Sequence, residues 1–147
     1  MGYYQFKNFL NYEKLTHFIT TRTGGTSSRP YDSLNLAFHT GDDPQNVLKN
    51  RKSILSIMGI NLGSLTLSKQ PHGGNIKIIT EEHKGRGSII YEDGIDGVDA
   101  LITNFRNICL VVLSADCVPV VLYDFSKNII GIVHAGWRGP RRRRSPW

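Results

Sequence analysis

The apolar positions of this chain predict one helix and a series of short strands. Apolar residues recur at helical spacing after Asp43 and Pro44, and Gly59 follows the last of them. Aspartate can accept hydrogen bonds from the first turn, proline suits the first helical position, and glycine suits the end. We therefore predict a helix from Pro44 to just before Gly59, with one face packed on a core. Strands are predicted at residues 17–21, 65–68, 75–79, 100–103, 108–113, 118–123 and 129–133.

The last three strand segments are nearly continuous runs of aliphatic residues. Runs of this kind are typical of strands that are covered on both faces. Glycine-rich and hydroxyl-rich stretches, such as residues 22–28 and 83–88, separate the elements and predict loops. The combination of one clear helix with many strands favours an α+β layered architecture.

Composition and charge narrow the class of protein. A chain of 147 residues with 39% hydrophobic residues can build one core, so a single domain is expected. The formal net charge is +6, of which four units belong to the arginine run at 141–144 and leave only +2 for the rest. No aromatic residues interleave with that run, which argues against specific nucleic-acid binding. No oligomeric state is predicted.

The two cysteines and the apolar runs bear on the cellular compartment. Cys109 lies inside an apolar run and Cys117 just beyond it, which argues against a disulfide framework. No apolar run approaches the ~18 residues of a membrane span, and the N-terminus lacks the pattern of a signal peptide. We expect a cytoplasmic protein that contacts no membrane.

The candidate chemistry lies where predicted strands end. Cys117 and His134 stand at the ends of apolar runs, and His72 follows the short run at residues 65–67. Functional groups concentrate at such points because strands support them rigidly. One cysteine and two histidines indicate a metal site. Taken singly, Cys117 could be a small buried residue and each histidine a structural residue of a turn or strand end.

Several motifs resemble one known family. The runs are TTRTGG at 20–25, YDSLNLA at 31–37, HTGDD at 39–43 and NR at 50–51, together with the segments around His72, Cys117 and His134. As an ordered set they resemble the YfiH-like laccase-domain family, whose members are called polyphenol oxidases in older usage and purine nucleoside phosphorylases more recently. The resemblance covers residues 3–139.

The resemblance implies a fold, a metal and a reaction. It implies a layered α-β-β-α sandwich related to the deamidase toxins, and a zinc ion held by His72, Cys117 and His134, which would also be catalytic. It implies purine nucleosides and phosphate as partners. Adenosine, inosine, guanosine or methylthioadenosine would be split by phosphate into the free base and the sugar 1-phosphate, with accompanying deamination of adenosine.

The chain departs from the family after Gly139. There the family continues with a further helix and strands, whereas this chain has the basic segment PRRRRSPW. We therefore expect residues 1–139 to be the N-terminal part of a single laccase-like domain that lacks its C-terminal portion, and residues 140–147 to be a basic tail foreign to the family. Weak or absent turnover is expected from such a truncated chain.

The residue inventory favours zinc over copper. A thiolate with two imidazoles suits a zinc site whose fourth position stays open for water or substrate. Five histidines with no His-x-His pair cannot supply the several coppers of a laccase, and Met1 and Met58 are poorly placed as axial ligands of a blue-copper centre. Copper-dependent polyphenol oxidation therefore remains the less favoured alternative.

Arginines are the candidates for binding phosphate. Their guanidinium groups match phosphate oxygens in a bidentate way, which points to Arg22, Arg51 and Arg138. We add Asn35 as a substrate-binding residue and Asp116 as a catalytic residue that orients a ligand or moves a proton.

Two other functions stay open. Cys117 could be the nucleophile of a cysteine hydrolase, with His134 as its base and Asp116 or Asn35 as the orienting group. Outside enzymes, the chain could retain the fold as a partner-binding protein without chemistry.

Overall fold

The helix predicted from Asp43, Pro44 and Gly59 is confirmed in a computed structural model, which describes residues 2–136. The chain divides into two compact units, Met1–Ile60 and Asn61–Trp147. The predicted extent of the laccase-like domain stays a prediction. Arg138 and the basic tail lie outside the described residues.

The first unit contains helix α1, Pro44–Met58. The Asp43 side chain accepts a hydrogen bond from the Gln45 backbone N–H at 2.8 Å, and Gly59 ends the helix in the left-handed conformation at φ 65°. The buried face of the helix includes Val47 and Ile54. Two short strands, β1 (Tyr3–Tyr4) and β2 (Ile19–Thr20), pair in antiparallel fashion. β2 is shorter than the predicted strand at 17–21.

The N-terminal cap of α1 provides a first prediction. Asp43→Ala removes the acceptor for the Gln45 N–H. We expect it to lower the free energy of unfolding by about 1 kcal/mol, as measured by urea denaturation. Asp43→Ser is the matched control, because its hydroxyl oxygen can accept the same bond. Equal destabilisation by both variants would contradict a capping role.

The second unit contains the remaining strands, close to their predicted positions. They are β3 (Leu65–Leu67), β4 (Ile76–Ile78), β5 (Ala100–Thr103), β6 (Cys109–Val111), β7 (Val118–Asp124) and β8 (Ile129–Ala135). β3 and β6 form a parallel pair. The other four form a sheet of order β4-β5-β8-β7, in which only β4 and β5 run parallel. The mixed helix and sheet architecture is thus confirmed, whereas the sandwich layering and the toxin relationship stay predictions.

The core of the second unit is formed by Leu101 of β5 and by residues just outside the strands. Its buried members are Ile79, Ile95, Val98, Leu101 and Ile108. The expectation that β7 is covered on both faces was wrong for the described part of the chain, where Val118 is 62% exposed and Leu122 56%. Alternate residues of β7 point away from the core, and an apolar run by itself does not reveal what covers the second face.

Among residues 2–136, no helix combines the length and the apolar composition needed to cross a membrane.

Candidate metal centre

Strand pairing in the second unit brings Cys117 close to His134. β7 and β8 are antiparallel, and their register pairs Val118 with Ala135 and Pro119 with His134. Cys117 directly precedes β7, so it lies at the same end of the hairpin as His134. His72 reaches this end from the turn after β3. Cys117 therefore directly precedes β7, His134 lies one residue before the end of β8, and His72 follows β3.

The three side chains form a compact group. One ligand atom from each of His72, Cys117 and His134 lies within 4.8 Å of the others. The two imidazole rings are 4.7 Å apart between centroids and nearly perpendicular, at 81°. His134 is buried, Cys117 is half-buried and His72 is exposed. The group thus has a rigid protein side and a side open to solvent, where a substrate or water can approach.

Asp99 is the buried carboxylate that organises this group, and the sequence analysis missed it. It is 2% exposed. One oxygen, Oδ1, lies 2.9 Å from His134 Nδ1 and accepts a 2.9 Å hydrogen bond from the His72 backbone N–H. The other accepts from the Gly73 N–H at 2.7 Å. Because Nδ1 of His134 is engaged by Asp99, Nε2 is the atom left to bind a metal.

A signal for Asp99 was present in the sequence. The residue stands in the run Val98-Asp99-Ala100-Leu101, where a carboxylate interrupts apolar positions at the start of a strand. Burial of an ionisable residue requires hydrogen bonds or an ion pair, so such a position indicates a partner. The identity of the partner depends on the fold, because His134 is 35 residues away along the chain.

Gly136 forms a close wall of the group. A Cβ atom placed on this glycine would lie 2.9 Å from Cδ2 of His72, 3.6 Å from the Cys117 Sγ and 3.7 Å from Cε1 of His134. Real Cβ atoms are essentially never found as near as the first of these distances. A side chain at residue 136 would therefore occupy space that the three ligand-type side chains now share.

Gly136→Ala is expected to weaken zinc binding by about tenfold or more, because His72 must move away from the new methyl group. Competition with a chromophoric chelator measures the affinity. Gly74→Ala is the matched control, since a Cβ atom there meets nothing within 4 Å. Similar affinities for the two variants would show that the close approach at Gly136 does not constrain the site.

The donor set fits a zinc ion. Zinc bonds to sulfur and imidazole nitrogen are about 2.0–2.3 Å long. In a tetrahedral site two such ligand atoms are about 3.3–3.8 Å apart. Side-chain rotations that shorten the present separations, which are at most 4.8 Å, by up to about 1 Å therefore let all three reach one ion. Among the described residues this is the one group of three or more such side chains. Cys109 is not part of this group. It lies on β6, and burial raises the pKa of its thiol to about 11.

Asp116 was predicted to orient a ligand or to move a proton. It is exposed in the loop before Cys117, a loop closed by a hydrogen bond from the Ser114 hydroxyl to the Cys117 carbonyl. The carboxylate at His134 is Asp99 instead. The orienting role of Asp116 toward a ligand stays a prediction. Its role in proton transfer stays a prediction.

Asn35, the other proposed orienting group, is engaged within the first unit. Its side-chain N–H₂ donates to the Thr40 hydroxyl at 2.9 Å and to Asp42 at 3.0 Å, and its Oδ1 accepts from the Ala37 N–H at 3.0 Å. These bonds fix the loop that leads to α1. The substrate-binding role of Asn35 stays a prediction.

The two candidate arginines within the described residues differ in exposure. Arg51 is 4% exposed: its guanidinium donates twice to the Leu36 carbonyl, at 2.9 and 2.6 Å, and lies 4.4 Å from the centroid of the Phe38 ring. Burial lowers its pKa to about 10. These contacts give Arg51 a structural role in the first unit. The Arg22 side chain is 76% exposed and pairs with Asp32, so it remains accessible to an anion. The phosphate roles of both stay predictions.

Comparison with known proteins identifies relatives of the chain. Residues 16–143 match the family model described as multi-copper polyphenol oxidoreductase laccase. The chain is 36% identical over 121 residues to purine nucleoside phosphorylase YlmD of Bacillus subtilis, covering 82% of this chain and 44% of the relative. It is 35% identical over 127 residues to adenosine deaminase RL5 from an unknown prokaryote, covering 86% of this chain and 48% of the relative.

A solved structure has the same fold. The crystal structure of YfiH from Bacillus licheniformis superposes with a TM-score of 0.82 at 36% identity, covering 83% of this chain and 46% of that one. The chain therefore spans about half the length of the curated relatives that it matches.

Proposed function

The chain belongs to the multi-copper polyphenol oxidoreductase laccase family, and from this premise we propose that it serves as a zinc-dependent purine nucleoside phosphorylase with accompanying adenosine deaminase activity. The observation that carries the proposal is the group of His72, Cys117 and His134, whose ligand atoms converge within 4.8 Å. The activities named for the relatives supply the substrate class.

The bonds that form and break in each reaction define what the site must do. In phosphorolysis, an oxygen of phosphate forms a bond to C1′ of the ribose, the bond from C1′ to the purine nitrogen breaks, and the electron pair leaves with the base. In deamination, water adds at C6 of adenosine and ammonia leaves. A bound zinc ion would polarise an oxygen atom or lower the pKa of a water molecule to about 7.

The residues of this chain hold and orient the reacting groups. His72, Cys117 and His134 would bind the ion, and Asp99 keeps His134 in the orientation that presents Nε2. Gly136 leaves room beside them. Of the two candidate arginines that the structure describes, Arg22 retains a guanidinium open to solvent, and it is the one that we propose for binding phosphate.

Zinc is favoured over copper by the ligand inventory. A laccase requires several coppers, whereas the part of the chain that the structure describes has one group of three ligand-type side chains. A single thiolate with two imidazoles leaves an open position on zinc. We therefore expect nucleoside chemistry rather than oxidation of polyphenols.

The test combines metal analysis with an assay. The purified chain is expected to contain about one zinc ion. Because it spans about half the length of its relatives, we expect it to release free base from adenosine or inosine weakly at best, and only when phosphate is present. Omission of phosphate separates phosphorolysis from hydrolysis, and release of ammonia reports deamination. A folded chain that binds no zinc under zinc-replete conditions would overturn the metal-dependent function.

A cysteine hydrolase remains the second candidate because of one contact. Asp99 binds His134 Nδ1, so Cys117, His134 and Asp99 stand in the order of a nucleophile, a base and an orienting carboxylate. Activity that survives a zinc chelator but is abolished by a thiol-directed electrophile would favour this candidate. Loss of activity with the chelator would favour zinc.

A further inference from the structure

The segments that carry His72 and Cys117 leave the ends of one pair of strands. β3 and β6 run parallel, and the last pair in their register is Leu67 with Val111. Beyond this pair, the segment after β3 continues to His72 and the segment after β6 continues to Cys117. The distance between these two side chains therefore depends on what holds the departing segments together.

Gln70 joins the two segments. Its side-chain Nε2 donates to the Leu113 carbonyl at 2.6 Å, and its Oε1 accepts from the Leu113 N–H at 2.7 Å. An amide that both donates to and accepts from one residue reproduces the pairing of a backbone strand. Gln70 thus extends the connection between β3 and β6 beyond the end of the ladder.

The backbone around Gln70 is held in an unusual conformation. Gln70 has φ 50° and His72 has φ 60°, in the left-handed region that residues other than glycine seldom adopt. Such conformations persist where surrounding contacts hold them, and they are common at functional sites. Two sets of contacts hold this turn: the Gln70 amide on Leu113, and Asp99 on the N–H groups of His72 and Gly73.

We propose that Gln70 is a positioning residue of the metal centre, which sets the separation of His72 from Cys117 by pairing with Leu113. The inference rests on the proposed metal site. A group of ligands from three separate segments binds an ion tightly only if the segments are already arranged, because otherwise binding must order them. Loosening the Gln70 contact therefore lowers metal affinity even where the unit stays folded.

The test is a Co²⁺ titration of the wild-type chain and two variants. Gln70→Met keeps the length of the side chain without either hydrogen bond, and Gln70→Glu keeps the acceptor but loses the donor to the Leu113 carbonyl. Both are expected to bind cobalt about tenfold more weakly and to lose absorption from thiolate-to-cobalt charge transfer at a fixed metal concentration. That absorption reports the bond to Cys117 itself, which a general loss of stability would not change selectively.

Gln5→Met is the matched control. The Gln5 amide also donates to a backbone carbonyl, that of His17, which belongs to neither metal-ligand segment. We expect this variant to bind cobalt like the wild type. Circular dichroism in the absence of metal measures whether each variant is folded.

The outcomes separate this inference from the function on which it rests. Wild-type affinity and absorption in both folded Gln70 variants would overturn the positioning role and leave the metal site intact. Absence of the charge-transfer band in the wild type would overturn the metal site and the positioning role together. Unfolding of both Gln70 variants would also overturn the inference, because Gln70 would then be required for the fold itself.

Discussion

Replacing Cys117 with alanine is expected to reduce bound zinc from about one ion per chain to less than about a tenth. The thiolate is the only anionic donor in the group of His72, Cys117 and His134. Without it, two neutral imidazoles remain, and one of them, His72, is exposed to competing solvent. The measurement is the metal content of the purified, folded chain by mass spectrometry after equilibration with zinc.

Cys109→Ala is the matched control for this experiment. It removes the other free thiol, which lies half-buried on β6 and outside the group. We expect it to retain wild-type zinc content. Retention of zinc by Cys117→Ala would show that Cys117 is not a ligand and would favour its role as a nucleophile.

Replacing Asp99 with alanine is expected to lower the free energy of unfolding by about 3 kcal/mol or more. The Asp99 side chain serves three partners, His134 Nδ1 and the backbone N–H groups of His72 and Gly73. Alanine leaves these partly or wholly buried groups without their acceptor, and it opens a cavity beside the core. Urea denaturation of the apo chain measures the loss without any contribution from metal.

Asp96→Ala is the matched control for Asp99. The Asp96 side chain is 77% exposed and pairs with Lys69 at the surface, so its loss is expected to change the free energy of unfolding by no more than about 1 kcal/mol. Asp99→Asn tests function separately, since it preserves the size of the side chain. We expect it to weaken zinc binding by about 10-fold to 100-fold. Equal stability of the Asp99→Ala and Asp96→Ala variants would exclude an organising role for Asp99.

Together these experiments distinguish a metal centre from a Cys-His-Asp catalytic group. Both depend on Asp99, because each requires a fixed orientation of His134. Only the metal centre requires His72 as a donor and Gln70 as the residue that sets its distance from Cys117. Variants of His72 and Gln70 are therefore the most informative for choosing between the two.

The order of secondary structure could be predicted because its signals are local. Asp43, Pro44 and Gly59 specify the ends of α1 through contacts within a few residues. Runs of β-branched and aliphatic residues likewise located the strands of the second unit, although their ends moved by one or two residues. The three ligand-type residues were also predictable, since few side chains bind zinc and each of these stood near a strand end.

The sequence by itself thus determined the helix, the approximate strands and the identity of His72, Cys117 and His134 as candidates. Only the tertiary structure decided that Asp99 binds His134, that Gln70 binds Leu113 across 43 residues of chain, and that one face of β7 is open in the described part of the chain. The physical reason is that these contacts arise from strand register and packing between distant segments. Local preferences for helix, strand and turn do not specify which distant residue a side chain such as Asp99 or Gln70 will contact.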